Sequence, residues 1–190
     1  MDVMALAEVN DKWVWIETNL YEFLICTVKR MLSKRNDYCG NYVLEWCKWL
    51  PLKCIVFVWR AEMEKNATGA ACIDLNINVE VSNCPFCDYS DETVSHLFCS
   101  CMIASTIWLH ISRWCKIALF VVSSVRDILE LQNLMRLTGL VKNVFHGILI
   151  VGCWCLWRAR NSLRFENKEV QVEEIIREIK SLGYFELALN

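Results

Sequence analysis

The sequence predicts a mainly α fold, a small helical domain stapled by a cysteine and histidine metal knuckle. Three observations point there. Apolar residues recur at helical spacing along most of the 190 residues, and only two prolines interrupt them. Residues 84–101, CPFCDYSDETVSHLFCSC, gather four of the twelve cysteines and one of the three histidines. Hydrophobic residues make up 55% and charged residues 22%, so there is ample apolar surface to offset chain entropy and intrinsic disorder is excluded.

From Trp13 to Leu32 the pattern predicts a helix, with Leu20, Phe23, Leu24, Thr27 and Met31 at helical spacing. KRNDYCGN at 34–41 is a turn. YVLEWCKWL reads as a short helix stopped by Pro51, because the residue before a proline disfavours helical geometry. KCIVFVWRAEMEK at 53–65 is expected to be the central buried helix, apolar almost all round until its charged end. CIVFVW alone would also suit a strand. NATGAA and DLNINVEVSN read as loop with a short helix. After the cysteine cluster, MIASTIWLHISRWCKI is a helix that places Ile103, Ile107, His110, Ile111 and Trp114 on one face, and His110 reads as a helix residue rather than a ligand. SSVRDILELQNLM opens with a serine cap. Residues 142–165 form another helix, and VQVEEIIREIKSL a last one with Val172, Ile175, Ile176 and Ile179 in a stripe. The expected organisation is a helical lead-in at 1–40, a zinc domain at 41–116 and a helical extension at 117–190.

Composition bounds the function. VFHGILIVGCWCLW at 144–157 is shorter than the roughly 20 residues of a membrane span and reads as a buried helix, so no membrane contact is expected. The N-terminus carries Asp2 and Glu8 and no basic region before an apolar core, unlike a secretory signal. An intracellular location, nucleus or cytoplasm, is therefore expected, where cysteines serve as core thiols or metal ligands rather than disulfides. The Asn66-Ala67-Thr68 sequon is then a chance match. Twenty Lys and Arg against 22 Asp and Glu give a net charge of −2. A chain so balanced lacks the footprint of a dedicated nucleic-acid binder, and any such contact must be local.

Cys84 and Cys87 form C-x2-C, which lets two thiolates from one tight turn reach a single ion at about 2.3 Å. In such a turn the amides of the third and fourth positions point at the first sulfur, and Pro85 at the second position removes no donor that is used. Asp91 is expected to cap a short helix through ETVSHLF, carrying His96 and leading to Cys99 and Cys101. Either cysteine completes a closed tetrahedral set. On a regular helix at about 100° per residue, Cys99 lies about 60° from His96 and Cys101 about 140° away, which favours Cys99. Zinc sites, however, commonly space their last two ligands three to five residues apart, with the helix tightening or ending there. Four protein ligands leave no position for a reactive water. No paired carboxylates or phosphate-cradling loop appear either, so an enzyme is not expected.

Several segments together resemble the reverse-transcriptase zinc-binding domain found behind the polymerase in plant non-LTR (LINE-type) retrotransposons. They are DKWVW at 11–15, WCKWLPLKCIVFVWRA at 46–61, CPFC, ETVSHLFCSC, Ile107-Trp108 and LWRARNSLRFENK at 156–168. The resemblance implies zinc held by Cys84, Cys87, His96 and Cys101, Cys101 rather than Cys99 being the fourth ligand. It departs at FLICTVKR and KNATGAACIDLNIN, where the family carries other residues. It further implies an accessory role beside an RNA-directed DNA polymerase whose catalytic core would require several hundred more residues, so the chain is expected to be a fragment or relic without activity of its own. The domain would help hold RNA or single-stranded DNA, through a basic and aromatic surface of Trp154, Trp157, Arg158, Arg160 and Arg164. The bland alternative makes those tryptophans core and those arginines a solvated face. A rival function is a zinc-stabilised module that docks a polymerase or other protein partner on the apolar stripe of 170–182.

Overall fold

The computed structural model describes residues 43–77 and 82–187, with side chains to residue 183. The helix expected at 13–32, the turn at 34–41 and the DKWVW element lie outside the described residues. Two compact units divide the chain, Met1–Val43 and Leu44–Asn190, and everything below belongs to the second.

Among the described residues, six α-helices build this unit: α1 Leu52–Glu62, α2 Gly69–Asp74, α3 Met102–Cys115, α4 Val125–Leu134, α5 Gly139–Glu166 and α6 Val172–Leu187. A single π-helical turn, His96–Ser100, precedes α3. Among the described residues there is no strand, only an isolated antiparallel bridge between Asn83 and Asp91. The mainly α class is therefore observed.

The 28-residue α5 is the hub, packed by α1, α3, α4 and α6. It is long and apolar enough to cross a bilayer by length and composition. In the fold, Ile148, Leu149, Ile150, Val151, Cys153, Cys155 and Leu156 are all buried under the neighbouring helices. Two glycines let indoles reach the α5 backbone. A Cβ on Gly147 would sit 1.9 Å from Cζ2 of Trp49, and one on Gly152 would sit 2.8 Å from Cζ3 of Trp108. α4 starts as expected from its serine: Ser124 accepts from the Asp127 amide while the Asp127 carboxylate accepts from the Ser124 amide, a reciprocal capping box.

Four local expectations fail for identifiable reasons. Residues 44–47 are irregular and lead into a turn, not a helix. This segment is held along the first turns of α5, where His146 Nε2 lies 3.1 Å from the Glu45 carbonyl and Lys142 pairs with Glu45 at 3.1 Å. Pro51 begins α1 rather than ending a helix before it, and its carbonyl accepts from the Cys54 amide. α1 is not buried all round: Cys54, Ile55, Phe57, Val58 and Ala61 face the core, while Leu52, Val56 and Trp59 are exposed. Finally, the stripe proposed as a docking face on the last helix is covered, with Ile175, Ile176 and Ile179 buried where α6 meets α3 and α5.

Candidate metal centre

The knuckle is a tight hairpin followed by an abrupt change of helix type. The Cys84 amide donates to the Ser90 carbonyl at 2.8 Å and the Glu92 amide to the Ser82 carbonyl at 2.9 Å, which closes the hairpin. Asp88 takes a left-handed conformation, φ 53°, at its turn. Aspartate tolerates that region because its short side chain can bond locally. Thr93, not Asp91, caps the next segment, its Oγ1 accepting from the His96 amide at 3.0 Å. Asp91 is instead engaged in the bridge with Asn83.

The π turn decides the position of the fourth thiol. Between His96 and Cys101 the backbone closes an i→i+5 bond, the Cys101 amide donating to the His96 carbonyl at 2.8 Å. One turn therefore spans five residues, and Cys101 returns to the side of His96 where a 3.6-residue helix would have brought Cys99 or Ser100. Ligand atoms of Cys84, Cys87, His96 and Cys101 all lie within 4.8 Å of one another. Cys99 is displaced into the core, where burial and then the Asp127 carboxylate push its thiol up to about 12. The π turn also leaves Phe98 with a carbonyl that the buried Trp108 indole N–H satisfies at 2.7 Å.

Two distances within the set lie close to those a tetrahedral ion requires. Bonds of about 2.3 Å to sulfur and about 2.0–2.1 Å to nitrogen imply edges of about 3.8 Å between sulfurs and about 3.6 Å between sulfur and nitrogen. The Cys84 and Cys101 sulfurs are 3.9 Å apart, and Cys87 Sγ lies 3.3 Å from His96 Nε2. With Nε2 facing the thiols, Nδ1 lies 3.3 Å from the Ser100 hydroxyl, an outer partner that fixes the ring. Amides of Phe86 and Cys87 point at Cys84 Sγ, as the C-x2-C turn predicts, and amides of Ile103 and Ala104 at the start of α3 point at Cys101 Sγ. The hydrogen bond from Cys84, together with those two amides, outweighs burial and holds the Cys101 thiol well below the ordinary thiol range. The same shared proton drives the Cys84 thiol up. Three sulfurs with one imidazole, two of the sulfurs fully buried, suit a closed structural zinc. Such an ion would tie the hairpin to the start of α3 and leave no open coordination position.

A buried ion pair, absent from the sequence reading, ties the knuckle to the hub. Glu92 is 0% exposed and Arg160 4%. Arg160 donates through Nε and Nη2 to the two carboxylate oxygens, the latter at 2.6 Å, and the Gly69 amide donates to Oε2 at 2.7 Å. Both residues sit inside recognised motifs, yet 68 positions separate them, so neither motif alone reveals its partner.

Residues expected to form a nucleic-acid surface divide. Trp154 and Trp157 are half-buried against Phe57, ring centroids 5.4 and 5.6 Å away. Arg158 is exposed and paired with Glu178 of α6. Arg164 donates to the Asn83 carbonyl at 3.3 Å. Arg160 is corrected outright, since it lies beneath the surface, engaged by Glu92. His110 is an exposed helix residue.

No curated protein and no solved structure matches the chain. Residues 23–108 match the family model described as zinc-binding in reverse transcriptase, a span that contains all four clustered ligands. Residues 23–108 are thus similar to a reverse-transcriptase zinc-binding domain, and the Cys3His cluster within them is able to hold the zinc that this family binds.

Proposed function

We propose that this chain is a non-catalytic accessory module of a reverse transcriptase of the plant non-LTR (LINE-type) retrotransposon kind, in which zinc fixes a helical platform that handles RNA or single-stranded DNA. The observation that carries this reading is the closed Cys3His set, clamped to the long helix through Glu92 and Arg160. A site without an open ligand position supports structure rather than turnover. The thiol-rich composition, with ten free cysteines among the described residues, fits a reducing intracellular compartment. A protein-docking role has less support, because the stripe of 170–182 on which it would rest is packed inside the fold.

Zinc-loaded chain titrated with single-stranded RNA across a salt series tests the reading. Binding whose logarithm falls linearly with log salt supports phosphate contacts, and no binding at low salt removes the nucleic-acid role.

A further inference from the structure

The outer face of α1 sets exposed apolar side chains beside exposed cations. Between Trp46 and Ala61 there is no acidic residue, and Lys48, Lys53 and Arg60 are all exposed, in a protein of net charge −2. On the helix, Leu52, Val56 and Trp59 share one exposed face, and Lys53 and Arg60 run along its edge. Trp59 is 51% exposed. Beyond the cation edge lie the half-buried indoles of α5. Lys53 Nζ sits 5.7 Å from the Trp154 ring, and Phe57 beneath them touches both Trp154 and Trp157.

From this juxtaposition we infer that the α1 face, Trp59 with the Lys53 and Arg60 edge and the adjoining Trp154, is a docking surface for a single-stranded nucleic acid. The inference rests on the nucleic-acid role proposed above and gives it an address. Seven residues separate the two cations, about 10.5 Å along the axis, so they can meet different phosphates of one strand. Indoles on either side of that edge offer π-faces for bases, and stacking tolerates any base. Charge complementarity selects a polyanion, and the alternation of flat aromatics with cations selects one that carries bases. An acidic peptide would satisfy only the first of these. Lys53 and Arg60 thus take the part that the sequence had given to Arg158 and Arg160, which are paired with Glu178 and Glu92.

The test uses the full zinc-loaded chain, a labelled 12-nucleotide single-stranded RNA and its DNA counterpart, with poly-glutamate as competitor. Trp59→Ala is expected to weaken binding roughly 5- to 150-fold, the range for one stacked base. Lys53→Gln with Arg60→Gln is expected to flatten the slope of log affinity against log salt by roughly 1.4, two phosphates at about 0.7 each. Zinc content and helicity, unchanged in both variants because all three side chains are exposed, verify the fold. Wild-type binding that survives these substitutions overturns the address while leaving the nucleic-acid role intact, whereas no wild-type binding at low salt overturns both. Displacement of the RNA by an equal charge concentration of poly-glutamate overturns the nucleic-acid assignment in favour of an acidic protein.

Discussion

Replacing Arg160 by methionine strands a carboxylate in the core. Glu92 is fully buried, and its oxygens are served by the Arg160 guanidinium and by the Gly69 amide at 2.7 Å. Methionine preserves most of the stem's volume but supplies no donor. Removing one partner of a buried pair costs about 3–5 kcal/mol, because the remaining charge is uncompensated. Against a total domain stability of about 5–15 kcal/mol, that is a large fraction. Adding Glu92→Gln to Arg160→Met removes the charge and keeps a carbonyl for the Gly69 amide. The double variant is therefore expected to recover most of the loss, since replacing both ends of such a pair is often close to neutral. Urea denaturation with zinc saturating would measure all three proteins. An Arg160→Met chain within about 1 kcal/mol of wild type, or a double variant less stable than the single, would refute the reasoning.

Two further outcomes follow from the packing. Gly147→Ala is expected to destabilise by about 1–3 kcal/mol, because a Cβ 1.9 Å from Trp49 Cζ2 forces the indole from its place; thermal melts of the zinc-bound variant check this. His146 is buried, and desolvation lowers its pKa against the opposing carbonyl and charge of Glu45. The unfolded chain, with an ordinary histidine near 6.5, then binds the proton more readily than the fold, so this residue's contribution is fully present above about pH 6.5 and lost as pH falls towards the lowered folded value. Subtracting stability curves of His146→Gln from wild type between pH 5 and 7.5 isolates that slope from protonation of the metal ligands, and a flat difference would contradict it.

Much of this architecture was legible because local chemistry and tertiary context agree. Ser124 followed by Asp127 announces a capped start, and Ile107 and Ile111 mark the buried face of α3. The C-x2-C turn dictates its own amide geometry around Cys84. What failed to show was non-local or broke a regular period. A helical wheel assumes 3.6 residues per turn, and the π turn at His96–Ser100 moves Cys101 in and Cys99 out. Pro51 follows an apolar stretch and could equally end or begin a helix; only the packing of 44–50 along α5 decides. Arg160 reads as one of three surface cations in WRARNSLR until Glu92 arrives from another part of the chain. Apolar stripes are similarly ambiguous: that of α6 is covered, while Trp59 and Val56 of α1 stand exposed.

Metal stoichiometry by elemental analysis of freshly purified wild-type, Cys99→Ser and Cys101→Ser chains addresses the centre of the account. One zinc per chain is expected in the wild type and in Cys99→Ser, whose thiol lies in the core, with loss of zinc in Cys101→Ser. A metal-free wild type would contradict the zinc knuckle itself, and zinc retained by Cys101→Ser but lost from Cys99→Ser would contradict the role of the π turn.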